Sequence, residues 1–246
     1  MIREKLIFKV PIEVAPPVPV FHPSDLSGGQ LYLRRDQATV SSWISDIGTA
    51  RDFVQATATK QPTLGVNKVV FDGTDDFMEV SETNPFGADN EGVIFFSGYF
   101  DNAATNSILT SCRSNLNTED FAIQITSSGL LRIVVVIAGV VTIISATNLI
   151  ANGAYFYGYI QANNLGNPYI ISLDGSIETN IVVSGTDNSP WFSSSPDRNN
   201  LALGGRIRLS PIYRLQEINK IYYNNTVLTS GEIADMNTFM SDPTNY

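Results

Sequence analysis

The densest group of ligating side chains in the sequence is Asp72-Gly73-Thr74-Asp75-Asp76. Asp72, Asp75 and Asp76 place three carboxylates on one short segment, and oxygen ligands on a turn are what Ca²⁺ requires. The same residues suit a plain turn between two strands, because Asp accepts hydrogen bonds from nearby backbone N–H groups and Gly supplies positive φ. Three carboxylates fall short of the roughly six to eight oxygens Ca²⁺ takes. The turn is the favoured expectation, and Ca²⁺ is the one cofactor the sequence offers.

A second group lies in Ser184–Asn199, SGTDNSPWFSSSPDRN. Trp191 and Phe192 stand there among Asp187, Asn188, Asp197 and Arg198. A flat apolar wall with a few polar groups suits a small-ligand pocket, here a sugar ring. Asp187, Asn188, Trp191, Phe192 and Arg198 are therefore the candidate glycan- or partner-binding residues. The competing expectation is that Trp191 pins a long loop onto the body of the domain.

Catalytic constellations are absent. Glycoside hydrolysis needs two carboxylates facing each other across a cleft, and no Glu-x-Asp-x-Glu run occurs. Glu217-Ile218-Asn219 comes nearest, and Asn219 is no acid. Glu119 and Asp120 are sequence neighbours, so on a strand they point to opposite faces. The single His, His22, sits among prolines, where a triad base would not be held in place. The single Cys, Cys112, follows an apolar strand and reads as a buried small hydrophobe. Arg206 and Arg208, two apart, share a strand face and read as ordinary solvated cations. No catalytic residue is assigned, and a non-enzymatic protein is expected.

The elements that must position these residues are strands. Short apolar, β-branched or aromatic segments recur between Gly, Asn, Asp and Ser. They are Leu31–Arg34, Lys68–Phe71, Phe77–Val80, Val93–Phe100, Ile108–Ser111, Phe121–Thr126, Leu130–Ala138, Val140–Thr147, Tyr155–Ala162, Tyr169–Leu173, Ile181–Val183, Leu201–Leu203 and Leu215–Tyr223. Ala138-Gly139 reads as a tight turn inside the most apolar stretch, Leu130–Ile144, which is too short to span a bilayer. One helix is signalled: Thr229-x-x-Glu232 has capping-box spacing, and Ile233, Met236, Phe239 and Met240 follow at helical intervals before Pro243. The expected fold is all-β, an antiparallel two-sheet jelly-roll sandwich with a short C-terminal helix.

Residues 1–26 differ from the rest. Pro16, Pro17, Val18, Pro19 and Phe21 belong to an extended Pro-rich segment too apolar for a solvated linker. It is expected to be an arm, lying on its own domain or anchoring the chain to a neighbouring subunit, with residues 27–246 as the jelly-roll domain. No secretion signal is visible at Met1–Val10. The formal charge of −9 over 246 residues argues against nucleic acid and anionic membranes as partners. Charged residues make up only 16%, against about 25% in typical domains, which fits an assembly or extracellular protein.

Three segments resemble the concanavalin A-like, laminin-G-like jelly-roll superfamily: Leu31–Leu64 (LYLRRDQATVSSWISDIGTARDFVQATATKQPTL), Val69–Phe77 (VVFDGTDDF) and Gln216–Met236 (QEINKIYYNNTVLTSGEIADM). Ile47-Gly48-Thr49 departs from the Ser-Gly-Asn-Gly turn of many relatives. The Gln-Pro-Thr-Leu and Phe-Asp-Gly-x-Asp-Asp variants look most like the version in tailed-phage structural proteins. That resemblance implies a virion protein (capsid decoration, head fibre or tail-associated subunit) assembled in the host bacterial cytoplasm. Its implied partners are capsid or tail subunits and further copies of itself. The alternative is a glycan-binding adhesion module at the cell surface that recognises bacterial polysaccharide. A glycoside hydrolase is the least favoured.

Overall fold

Strands β1 (Gly29–Leu33), β2 (Ser42–Trp43), β3 (Phe53–Val54), β4 (Thr63–Gly65), β5 (Lys68–Asp72) and β6 (Met78–Ser81) open the fold. The long central strands follow: β7 (Gly92–Tyr99), β8 (Asn106–Cys112), β9 (Asp120–Ile125), β10 (Leu130–Ile137), β11 (Val140–Leu149) and β12 (Tyr155–Ala162). Then come β13 (Ile170–Leu173), β14 (Ser176–Ile177), β15 (Ile181–Ser184), β16 (Asn200–Leu203), β17 (Gly205–Arg206), β18 (Ile212–Tyr213) and β19 (Leu215–Asn224), and helix α1 (Ser230–Ser241) closes the chain. The computed structural model describes residues 21–33, 40–46, 51–82, 89–163, 166–195 and 197–244. Pro16, Pro17, Val18, Pro19 and the Ile47–Thr49 turn lie outside them.

All pairings are antiparallel. One sheet runs β14-β13-β12-β7-β19-β5-β4, with β1 also on β19; the other runs β15-β11-β10-β9-β8-β16-β6-β3-β2. Strand alternation decides what lies between them. Ile94, Phe96, Phe156, Ile160, Ile218 and Ile221 of the first sheet meet Phe121, Ile123, Leu131, Ile133, Leu201 and Leu203 of the second in one buried core. This is the expected sandwich.

The thirteen predicted strands all appear, most within a residue or two of the expected bounds. The Ala138-Gly139 turn joins β10 to β11 with both residues at positive φ (48° and 81°), the geometry of a two-residue hairpin whose twist matches its strands. Thr229 caps α1: its side chain accepts from Glu232 N, and the Glu232 carboxylate accepts from Thr229 N at 2.7 Å. Met236, Phe239 and Met240 then bury against Val93, Phe95, Tyr159 and Tyr222, the outward side chains of the eight-stranded sheet. Phe21 packs on this same cluster, and Leu26 belongs to it. Between them His22 caps a 3-10 turn at Pro23–Asp25.

The outer face of the nine-stranded sheet has a different cover. After β16 the chain turns at Gly204 (φ 75°), where a Cβ would lie 2.2 Å from the Phe71 ring, so only glycine fits. The chain then folds back as the β17–β18 ribbon. Thr110 Oγ1 donates to Gly205 O at 2.6 Å and Asn200 Nδ2 donates to Ile207 O, fastening the ribbon over β8 and β16.

Candidate functional site

Cross-strand register sorts the outer face of the nine-stranded sheet into rows. Ser145, Arg132, Gln124 and Ser107 form one. Ile143, Val134, Ala122, Thr110, Ala202 and Glu79 form the next. Val136, Asp120 and Cys112 form a third. Onto these rows the β17–β18 ribbon brings Arg206 and Arg208 and, just beyond β18, Arg214.

The result is a cluster of four guanidinium groups. Arg206 Nη1 lies 2.8 Å and Arg208 Nη1 3.6 Å from the same Asp120 oxygen. Arg132 donates through Nε and Nη2 to Gln124 Oε1 at 3.2 and 3.1 Å. The Arg214 side chain has no hydrogen-bond or ion-pair partner among the described residues. The Nε donors of Arg206, Arg208 and Arg214 are buried without an acceptor. Burial, and after it the charges of Arg206 and Arg214, lower the pKa of Arg132; burial, then Arg206 and Arg208, lowers that of Arg214. Burial raises the pKa of the Asp120 carboxyl against the pull of Arg206 and Arg208. Of the four arginines only Arg206 and Arg208 are paired with a carboxylate among the described residues, and both with the same one, in a protein of net charge −9. Arg side chains offer planar, paired N–H donors that match a carboxylate or phosphate, so the face is built to take an anion.

This corrects the expectation for Arg206 and Arg208. Their side chains are only 11% and 16% exposed, enclosed between ribbon and sheet, and are no solvated face. The Arg-x-Arg with a third Arg six residues on was the available signal, in a chain with only 15 basic residues. Arg132 carried none, because it interrupts an apolar strand.

The Trp191 group is differently placed. Trp191 and Phe192 are buried (1% and 0% exposed), with Phe121 5.5 Å from Trp191 and 4.9 Å from Phe192 between ring centroids. Arg198 is buried as well: its guanidinium stacks 4.7 Å from the Phe192 ring, and its Nε donates to Ser195 O at 2.8 Å. Desolvation lowers its pKa to about 10. Asp187 accepts from Tyr169 N and Asn180 Nδ2. Neither ring has a face open to a sugar, which corrects their assignment to a glycan site; a ring that fills the core leaves no surface to stack on. Asn188 alone stays exposed, lining a cavity of about 310 Å³ with Val135, Ile137, Val140, Thr142, Pro190 and Ser194.

At the Asp72 turn the three carboxylates lie within 4.8 Å of one another. Asp72 Oδ1 accepts from the backbone of Thr74 (2.8 Å), Asp75 and Asp76, and Asp76 Oδ2 accepts from Asp72 N at 3.1 Å. Burial pushes the Asp72 pKa up, but the three backbone donors outweigh it and the net shift is down; burial raises that of Asp76. These carboxylates serve the turn between β5 and β6, and as a Ca²⁺ set they are too few.

The remaining candidates are engaged structurally. Glu217 Oε2 pairs with Lys68 Nζ at 2.7 Å. Glu119 accepts from Ala138 N and Ser195 Oγ on the side opposite Asp120. Cys112 is fully buried, its thiol pKa pushed up by burial and by Asp120, whose Oδ1 accepts from Sγ at 3.2 Å.

No protein-family profile and no curated protein matches the chain. Solved structures do. The CBM40 of Ruminococcus gnavus IT-sialidase, bound to α2,3-sialyllactose, superposes with a TM-score of 0.51 at 16% identity, over 61% of this chain and 84% of that one. The leech intramolecular trans-sialidase gives 0.51 at 19%, over 59% of this chain and 23% of that one. The Trypanosoma rangeli sialidase in complex with sialic acid gives 0.62 at 15%, over 93% of this chain and 36% of that one. At these identities the likeness is one of fold, a lectin-like β-sandwich.

Proposed function

We propose that the chain is a glycan-binding, lectin-like module that takes an acidic sugar on the arginine-lined outer face of the nine-stranded sheet. One observation carries this: Arg206 and Arg208 share a single carboxylate, Asp120, while Arg132 and Arg214 beside them have no carboxylate partner among the described residues, which leaves donors and positive charge to spare. The sugars named with two of the similar structures, sialyllactose and sialic acid, bear a carboxylate, which supports the same ligand class. Binding without turnover is part of the proposal, since Asp120, the carboxylate at the centre of this face, is committed to Arg206 and Arg208. Titration with carboxylated and neutral oligosaccharides tests it. Saturable binding of the carboxylated set alone is expected, weakened roughly 10- to 100-fold in Arg214→Ala, the scale of one charge-assisted hydrogen bond. Equal binding of neutral sugars, or an unaffected Arg214→Ala variant, overturns it.

The setting we propose is a phage particle, with residues 1–26 as the anchor, on the strength of the Gln-Pro-Thr-Leu and Phe-Asp-Gly-x-Asp-Asp motifs. Mass spectrometry of purified virions tests that separately; a chain found only among secreted or surface proteins rejects it.

A further inference from the structure

The arginine face is roofed. The Asp120 side chain has no exposed surface, and those of Arg206 and Arg208 keep little of theirs. The Nε atoms of Arg206, Arg208 and Arg214 are wholly covered. A sugar carboxylate cannot reach these donors while the β17–β18 ribbon lies as it does. The ribbon therefore decides access.

Its attachment is polar. Among the described residues, the segment from Gly205 to Tyr213 gives no side chain to a hydrophobic cluster. Tyr213 makes a ring contact with Phe77, 5.9 Å between centroids. Leu209, Ser210 and Pro211 at the tip are exposed. What holds the segment to the sheet is Thr110 Oγ1 on Gly205 O, Asn200 Nδ2 on Ile207 O, and the two ion pairs to Asp120. At its base Arg214 N donates to Gly204 O at 2.8 Å, which pins the two ends side by side. Water can replace such polar contacts at small net cost. Segments with few buried apolar contacts are the ones that open locally.

Charge acts in the same direction. Closing the ribbon brings Arg206, Arg208 and Arg214 onto the sheet that carries Arg132, and it covers three Nε donors that find no acceptor. Both effects disfavour the closed arrangement. An anion between ribbon and sheet supplies the acceptors and offsets the repulsion, and it does so only when the ribbon is down. A ligand shifts an equilibrium toward the state it binds better. We infer that Gly205–Tyr213 is a strap over the arginine face, which lifts about its pinned base to admit the acidic sugar and closes on it. The inference rests on the reading of that face proposed above and adds how the ligand enters and is held.

Limited trypsin digestion of the full chain, read by mass spectrometry, tests it. Cutting Arg208–Leu209 requires the Arg208 side chain to leave the sheet, so the rate reports the lifted population. Cleavage there is expected in ligand-free protein under conditions that leave the fully buried Arg198 uncut. With α2,3-sialyllactose at about ten times its dissociation constant the cut should slow roughly tenfold, the factor by which binding to one state depletes the other. Lactose should have no effect, and cleavage after Arg113, outside the site, should not change. Thr110→Val, which frees Gly205 O, should speed the Arg208 cut roughly fivefold, the scale of one hydrogen bond. Should that variant fail to fold, protection of the natural chain decides. Resistance at Arg208 equal to that at Arg198 in ligand-free protein overturns the inference. So does sugar binding that leaves the cut unchanged, in which case the arginine reading stands without the strap. If the sugar does not bind, that reading fails and inorganic phosphate decides the strap alone: protection supports it, and its absence overturns it.

Discussion

Each sheet of the sandwich buries cations on its outer face, and the two faces treat them in opposite ways. Under α1, Lys220 is fully buried, its Nζ donating to Asp242 O just past the helix and lying 5.4 Å from the Phe239 ring. A cation at the carbonyl end of a helix meets the negative end of its dipole, so Lys220 is a fastening for α1. Under the β17–β18 ribbon, Arg206, Arg208 and Arg214 keep buried Nε donors with no acceptor, and among the described residues Asp120 is the one carboxylate paired there, with Arg206 and Arg208 only. Burial alone therefore does not separate structural from functional charge. The ratio of donors to acceptors around the charge does.

Four experiments sharpen or break that contrast. The largest effect is expected from Lys220→Ala, which removes a buried side chain and strands the carbonyl it serves. Chemical denaturation should show a loss of about 2–4 kcal/mol, with anion binding unchanged in protein that remains folded. Arg214→Ala should do the reverse: binding of a carboxylated oligosaccharide falls at least tenfold, while stability holds or rises slightly because a repelling charge is removed. A stability loss as large as that of Lys220→Ala would make Arg214 a structural cation too. Next, affinity for the acidic sugar should fall severalfold as ionic strength rises from about 0.05 to 0.2 M, since the site is partly open and charge-driven. Salt-independent binding would point to an apolar contact instead.

The smallest effect is in pH. Burial, partly offset by the Asp242 charge, depresses the Lys220 pKa to about 8. The unfolded chain then holds more protons than the folded one above pH 8, so this residue makes stability rise with pH from about 8 toward the ordinary lysine range. Burial raises the pKa of Tyr155, Tyr159 and Tyr222, which reverses the trend above about pH 10. The rise between pH 8 and 10 should vanish in Lys220→Met, as thermal unfolding across that range would show.

The contrast also explains what could be read from sequence. Strands announced themselves because alternation and turn residues are local properties, and α1 because Thr229 and Glu232 sit three apart. Two-residue strands such as β17 and β18 were missed; nothing in Gly205-Arg206 or Ile212-Tyr213 marks pairing until the ribbon has a sheet to lie on. Trp191 and Phe192 were misplaced for the converse reason: a polar neighbourhood in sequence suggested exposure, while in space Phe121 and Tyr169 close over them. The arginine site was largely illegible. Arg132 comes from β10 and the other three from a ribbon some 75 residues later, and only the cross-strand register of β8, β9, β10 and β16 brings them together.

The position of β19 reaches into how the molecule is made. It is synthesised after all of its partners, β1, β5 and β7, and Gly29 waits for Asn224, about 200 positions later. Until β19 emerges, β7 has an unpaired edge lined with Val93, Ile94, Phe95 and Phe96. Such non-local closure is slow and leaves sticky intermediates. The nascent chain is thus a natural client for a chaperone, and expression that outruns folding should send it into inclusion bodies.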